Sequence, residues 1–193
     1  MDQREIRTFT FQLEERKDDK EPRMTGHAAV FNEITKIGSF FREQVAPGAF
    51  KASIKEDDVR ALFNHDPLSS VKSRNTSGTL RMKEDDKGLA IEIDPPQTQF
   101  ASDLMTLMKR GDITQMSFAF QVLGEEWEEN EDELPLRTLN KLRLFDVSPV
   151  TFPAYEGTDI GVRSRDAWKG SRNAYRTNLM RHSLTLRKKG VSK

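Results

Sequence analysis

The chain has 193 residues, of which 35% are hydrophobic and 32% charged, and its formal net charge at pH 7 is zero. No apolar run approaches the roughly 20 residues that a membrane-spanning helix needs, so the sequence predicts no membrane partner. The N-terminal MDQREIRTFTF lacks the apolar core of a signal peptide, and a chain without cysteine has no disulfide and no cysteine nucleophile. These features fit a reducing cytoplasm.

The first half of the chain alternates between strand patterns and turn residues. Strands are predicted over EIRTFTFQLE and MTGHAAVFNEI, paired as a hairpin with a long loop, and a short helix with Pro47 in its first turn follows within GSFFREQVAPGAFKASIKEDD. VRALFNHD is a predicted strand whose inward residues are Val59, Ala61 and Phe63, with His65 on the same face at its end. GTLRMKEDDKGLAIEIDPP predicts a second hairpin that turns at Glu84–Gly88.

TQFASDLMTLMKRG is the clearest helix signal in the chain. Thr98 is a typical N-cap residue, and Gly111 is a typical stop just after the basic pair Lys109-Arg110. Four apolar residues fall on one predicted stripe, namely Phe100, Leu104, Leu107 and Met108.

The next strand, ITQMSFAFQV, alternates between two different faces. Met116, Phe118, Phe120 and Val122 form an apolar face that predicts a core position. The other face carries Gln115, Ser117, Ala119 and Gln121. If this strand is exposed, Gln115, Ala119 and Gln121 line a groove that accepts an extended chain by strand addition. Ser117 is either a harmless serine in a half-buried strand or a nucleophile on a rigid sheet.

Seven acidic residues between Glu125 and Glu133 predict a solvated loop, after which LRTLNKLRLFDVSPVTFPAY returns as a long strand that ends in a Pro-flanked turn. Simple alternation places Leu142, Leu144, Asp146, Ser148 and Val150 on one face. Asp146 is therefore predicted to be a buried acid, which is costly unless a partner pairs with it. That partner is either structural, such as an arginine or backbone N–H groups, or the imidazole of His65.

Many strands with two short helices, and no strand–helix alternation, predict a mainly β fold of the α+β class. We expect a small closed or partly open β-barrel flanked by helices. Residues 1–160 form the predicted main domain, and residues 161–193 form a basic extension with ten Lys/Arg and one acidic residue. The other 160 residues carry 21 basic and 30 acidic side chains, which indicates that the basic extension has a partner of its own.

A serine nucleophile needs a base within hydrogen-bond reach and a third group that orients the base. Of the three histidines, His182 lies in the basic extension and His27 fits an exposed or satisfied strand position, which leaves His65 as the best candidate base. The histidines lie far apart, so no structural zinc site is expected. The sequence has no Walker A, G-x-G-x-x-G or H-E-x-x-H motif, and no cofactor is expected. Ser117 does not lie in a G-x-S-x-G motif, so no nucleophile elbow is predicted.

Five segments, taken in order, resemble the prohead proteases of tailed bacteriophages. They are GHAAVFNEI…EQVAPGAF, LFNHDP, KGLAIEIDPPQT, MKRGDITQMSFAFQV and RLFDVSPVTFPAY, which together extend over roughly Arg23 to Thr158. The family is similar to the herpesvirus assembly proteases in fold and chemistry. The resemblance therefore implies a herpesvirus-protease-like barrel with the activity of a serine endopeptidase.

The family's nucleophile, base and acid fall on Ser117, His65 and Asp146, and the resemblance implies no cofactor. Two positions depart from the family pattern: Ala119 stands where glycine is frequent, and Asp146 stands where glutamate is frequent. The implied substrate is the scaffold, or the scaffold-like segment of the major capsid protein, inside the immature head in the host cytoplasm. The enzyme itself is a further implied substrate, because such proteases commonly trim themselves.

Two other functions are weighed against the protease. A non-catalytic scaffold or assembly factor of the capsid would retain the fold without needing serine, histidine and acid at all three places. A nucleic-acid-binding module would depend on the basic extension alone, because no basic and aromatic platform is evident elsewhere. The basic extension itself has three open roles: docking on scaffold or capsid protein as a removable segment, attraction to DNA, and simple solubilisation.

Overall fold

The computed structural model describes residues 4–10, 23–68, 73–129, 133–152 and 169–170, without the side chains of residues 9 and 10. The strands are β1 (Glu5–Thr10), β2 (Met24–Val30), β3 (Thr35–Ile37), β4 (Phe41–Val45), β5 (Arg60–Ala61), β6 (Ser73–Arg74), β7 (Leu80–Glu84), β8 (Gly88–Ile93), β9 (Gln115–Glu128) and β10 (Leu136–Val150). The α-helices are α1 (Lys51–Glu56) and α2 (Gln99–Arg110). None of the helices in these ranges is long and apolar enough to cross a membrane.

The described strands form two sheets, so the predicted mainly β fold with few helices is confirmed. The larger sheet has seven strands in the order β1-β9-β10-β4-β3, with β5 paired to β10 and β6 paired to β5, and the smaller has the order β2-β8-β7. An isolated bridge between Phe31 and Val45 links the end of β2 to β4. These pairings leave the sheets open, and closure into a barrel stays a prediction.

A single apolar cluster lies between the two sheets and takes side chains from both. The smaller sheet contributes Met24, Leu89, Ile91 and Ile93, and the larger contributes Phe118, Phe120, Leu142 and Leu144. Helix α2 covers this core with Ala101, Leu104, Met105 and Met108. The Thr98 N-cap and the Gly111 stop are confirmed, but Phe100 and Leu107 are each 37% exposed, because α2 turns them away from the core.

The first two strands do not form the predicted hairpin. β1 pairs antiparallel with β9 in the larger sheet, whereas β2 pairs antiparallel with β8 in the smaller sheet. The hairpin between β7 and β8 is confirmed, with its turn between Glu84 and Gly88. The acidic segment is also different from the prediction, because Glu125 to Glu128 extend β9, whereas the described residues Glu129 and Glu133 lie outside a strand.

Four charged side chains lie on the core side of β1 and its neighbours, and we call them the buried charge cluster: Glu5, Arg7, Glu43 and Arg137. Arg137 donates to Glu5 and Glu43 at 3.0 Å each, and Arg7 donates to Glu43 at 2.5 Å and to Glu5 at 2.8 Å. Glu5, Glu43 and Arg137 are each less than 5% exposed. Alternating acid and base in one cluster satisfies charges that would be costly alone.

The electrostatics of the cluster follow from this packing. Burial alone would raise the pKa of the Glu5 carboxyl, but the hydrogen bond from Arg137 and the charges of Arg7 and Arg137 outweigh it and hold that pKa below its ordinary value. Burial would likewise lower the pKa of Arg7, yet the charge and hydrogen bond of Glu43 raise it. Both groups are therefore fully ionised near neutral pH, and β1 is attached to the sheet through charge pairs.

Candidate active site

Strands β9 and β10 bring Ser117 and Asp146 onto the same face of the larger sheet. Their antiparallel register places Ser117 opposite Ser148, and Ala119 opposite Asp146. Residues directly opposite each other in such a pair project to the same side. All four side chains therefore lie on one face, and all are less than 3% exposed.

A bulge in β10 decides on which face Asp146 lies. Leu144 is opposite Phe120 and Asp146 is opposite Ala119, so two residues of β10, Phe145 and Asp146, advance against a single step in β9. The extra residue reverses the alternation. The prediction that Leu144 and Asp146 share a face is wrong, because Leu144 enters the core while Asp146 turns to the face of Ser117.

His65 reaches this face from a turn, not from a strand. β5 runs parallel to β10, with Arg60 beside Asp146, but it ends after Ala61, so the predicted strand through residue 66 is too long. Asn64 and His65 then adopt left-handed backbone angles, with φ of 52° and 56°. The turn places His65 Nδ1 2.5 Å from Asp146 Oδ1.

This turn is fastened to the end of β10 by three hydrogen bonds. The backbone N–H of Asn64 donates to the Pro149 carbonyl at 3.0 Å. The Asn64 side chain accepts from the backbone N–H of Thr151 at 2.9 Å and donates to its hydroxyl at 3.1 Å. Asn64 therefore anchors the turn that places the His65 imidazole beside the Asp146 carboxylate.

The contact with Asp146 also determines which nitrogen of His65 carries its proton. An ionised carboxylate only accepts hydrogen bonds, so Nδ1 is the donor and Nε2 of the neutral ring is left with a free lone pair. Nε2 is buried and has no hydrogen-bond partner among the residues that the structure describes. The imidazole is thus in the form that can take up a proton at Nε2.

Asp146 receives two further donors that the sequence reasoning missed. The Ser148 hydroxyl donates to Oδ1 at 2.8 Å, and the Arg4 guanidinium forms an ion pair with Oδ2. Ser148 had a weak signal, since it lies two residues beyond Asp146 in a strand. No sequence signal indicated Arg4, because the predicted hairpin paired the first strand with β2 and not with β9.

Ser117 is fully buried, and its hydroxyl donates to the backbone carbonyl of Arg7 in β1 at 2.8 Å. The structure therefore brings His65 and Asp146 into contact and places Ser117 on the adjacent strand, without a hydrogen bond from Ser117 to His65 Nε2.

The groove predicted over Gln115, Ala119 and Gln121 is not open. β9 pairs with β1 on one side over Gln115–Phe120 and with β10 on the other, and Ala119 is fully buried. Strand addition at Ser117 requires an unpaired edge, which β1 already occupies.

His27 does not reach this face. His27 is the satisfied strand histidine that the sequence predicts, with Nε2 2.9 Å from an Asp85 carboxylate oxygen. His182 lies outside the described residues, as does most of the basic extension.

Comparison with known proteins agrees with the architecture described above. The family model of caudovirus prohead serine proteases matches residues 9–172. Among solved structures, the bacteriophage T4 capsid assembly protease gp21 is similar with a TM-score of 0.51 at 8% sequence identity, over 77% of this chain and 97% of that one. The search of curated proteins found no sequence match.

The structural likeness supports the fold, and the family match extends over most of the chain, including every residue of the site except Arg4 and Arg7. The protein therefore belongs to the caudovirus prohead serine protease family.

Proposed function

We propose that Ser117, His65 and Asp146 are the catalytic triad of this serine protease, with Ser117 as nucleophile, His65 as general base and Asp146 as the group that orients the imidazole. The observation that carries the proposal is the 2.5 Å contact between His65 Nδ1 and Asp146 Oδ1. It leaves a buried lone pair at His65 Nε2, on the face of the sheet to which Ser117 projects.

The chemistry follows the general scheme of serine hydrolysis. His65 Nε2 takes the proton of the Ser117 hydroxyl as the oxygen attacks the carbonyl carbon of a substrate peptide bond. Asp146 stabilises the imidazolium, which then gives the proton to the departing amine. Water hydrolyses the acyl-enzyme in a second round of the same proton transfers.

The proposed substrate is the scaffold or the scaffold-like segment of the major capsid protein, cut inside the immature phage head in the host cytoplasm. The family supports this choice, since its members are prohead proteases. In the same proposal the two sheets are the partly open barrel of the herpesvirus assembly proteases. Residues 161–193 are a removable extension that docks on acidic scaffold or on capsid protein and is trimmed by the enzyme itself. Attraction of this extension to DNA is the competing role.

Ser117→Ala tests the nucleophile directly. We expect cells that make this variant together with the capsid protein to accumulate full-length capsid protein, because alanine has no oxygen to acylate. Ser102→Ala is the matched control, since Ser102 is an exposed serine on α2. Gel mobility and terminal sequencing of the shell proteins give the readout, and shortened capsid protein in the Ser117→Ala culture would reject the triad.

The same cultures test the basic extension. Mass spectrometry of the protease from cells with the wild-type sequence should find residues beyond about 160 removed, and the Ser117→Ala protein should keep them. An intact extension beside processed capsid protein would show that self-trimming does not occur.

Ser148 is predicted to act through Asp146 as a positioning residue. Ser148→Ala removes the hydroxyl that holds Oδ1, and hydrogen bonds to charged groups are worth enough to lower kcat by roughly 10- to 100-fold. KM should change little, and Ser148→Thr should restore much of the rate because it keeps the hydroxyl. Steady-state kinetics over a pH series provide the measurement. An alanine variant with the wild-type kcat and pH profile would rule out this role.

A further inference from the structure

The proposed nucleophile is inaccessible because the chain's own first strand covers it. Ser117 is 0% exposed, and β9 is paired on both sides at this position, with Thr8 of β1 opposite Ser117 on one side and Ser148 on the other. A protease usually binds its substrate as an extended strand beside the nucleophile. Here β1 already pairs with that edge of β9 through six of its residues.

Residues 4–10 also engage two of the three proposed triad residues through their own groups. The carbonyl oxygen of Arg7 accepts the Ser117 hydroxyl at 2.8 Å, so the hydroxyl proton is committed to β1. The Arg4 guanidinium pairs with Asp146 Oδ2. His65 Nε2 meanwhile has no partner in the described part of the chain. In this arrangement the Ser117 hydroxyl donates to β1 and not to His65 Nε2, so the proposed base does not contact the proposed nucleophile.

Resting on the proposed triad, we propose that residues 4–10 are an intramolecular ligand of the β9 edge beside Ser117. An extended segment of the substrate must displace them before cleavage. The Arg7–Thr8 peptide then occupies the place of a substrate backbone. When it leaves, the Ser117 hydroxyl loses its acceptor and becomes free to turn to His65 Nε2.

The attachment of β1 explains why displacement is not spontaneous. Glu5 and Arg7 face the core side and pair with Arg137 and Glu43 in the buried charge cluster. Leaving the edge separates these pairs in a buried setting, which is costly unless the incoming segment compensates. A free monomer is thus expected to cut slowly, and a high local concentration of extended substrate favours the exchange.

The experiment compares a loosened and a locked β1 in the full chain. Arg7→Pro removes a backbone N–H on the side of β1 that faces β9, because the Arg7 carbonyl points to β9 and both backbone groups of a residue in an antiparallel ladder point to the same neighbour. The double substitution Thr10→Cys with Gln115→Cys joins two directly paired positions of β1 and β9, and a chain without cysteine leaves only that disulfide to form. The probe is a fluorophosphonate, which labels an accessible activated serine, and peptide mapping identifies the serine.

Loosening should raise the rate of Ser117 labelling at least tenfold, because it removes a ladder hydrogen bond together with the Arg7 ion pairs, and oxidation of the double variant should lower it at least as much. Reduction should restore the rate, while each single cysteine variant should not respond to redox state. Equal labelling of Ser117 in the loosened, wild-type and locked proteins would overturn the strand exchange alone. Labelling of another serine, or of none in correctly folded protein, would reject the proposed nucleophile and the exchange that depends on it.

Discussion

Asp146→Asn is expected to lower kcat by about 10⁴-fold, the size of effect seen when a triad carboxylate becomes an amide. Asparagine can donate to His65 Nδ1, which favours the tautomer with its proton on Nε2 and so removes the lone pair that the base needs. Substitution at this site should spare the fold, because the freed Arg4 side chain is 43% exposed and can reach water. The measurement is the rate of capsid-protein shortening, with thermal unfolding as a check on folding.

Asp146→Glu is the matched control, because the family resemblance places glutamate at this position in many members. It retains a carboxylate and is expected to keep far more activity than the asparagine variant. Equal activity of Asp146→Asn and the wild-type chain would mean that the 2.5 Å contact with His65 is structural and not part of the catalytic step.

Arg137→Met is expected to reduce the free energy of unfolding by about 3–5 kcal/mol, since it leaves the buried carboxylates of Glu5 and Glu43 with Arg7 as the remaining cation of the cluster. Arg137 is 2% exposed and also pairs with Glu125, so water cannot replace these contacts without opening the sheet. Burial would lower the pKa of the Arg137 guanidinium, but the hydrogen bond and charge of Glu5, with the charges of Glu43 and Glu125, raise it. Urea denaturation measures the change.

Arg143→Met on the same strand is the comparison for Arg137. Its side chain is 50% exposed and lies 3.5 Å from Asp57, so its loss should cost no more than about 1 kcal/mol. Similar losses of unfolding free energy for the two variants would contradict the conclusion that Arg137 stabilises the fold more than an exposed arginine does.

Elements with local signals were predictable from the sequence. Helix α2 begins at its Thr98 cap and ends at Gly111, and the hairpin between β7 and β8 turns where its acidic residues and glycine lie. These features depend on neighbouring residues, whose conformational preferences are read directly from the chain.

Features that depend on distant partners were not predictable in this way. β1 has the same alternation whether it pairs with β2 or with β9, about 110 residues away, so the alternation of its residues does not choose between them. The bulge at Phe145 has no glycine or proline to mark it, and it alone turns Asp146 to the face of Ser117. The residue types of the candidate site were therefore foreseen, whereas the contact of Arg4 with Asp146 was not.

The paired left-handed residues Asn64 and His65 have a consequence for biosynthesis. Such angles are unfavourable in non-glycine residues and persist only where surrounding contacts enforce them. Here the enforcing groups, Pro149 and Thr151, leave the ribosome more than 80 residues after His65. A nascent chain therefore holds the base without its orientation, and the proposed proteolytic activity first becomes possible when translation has passed the end of β10.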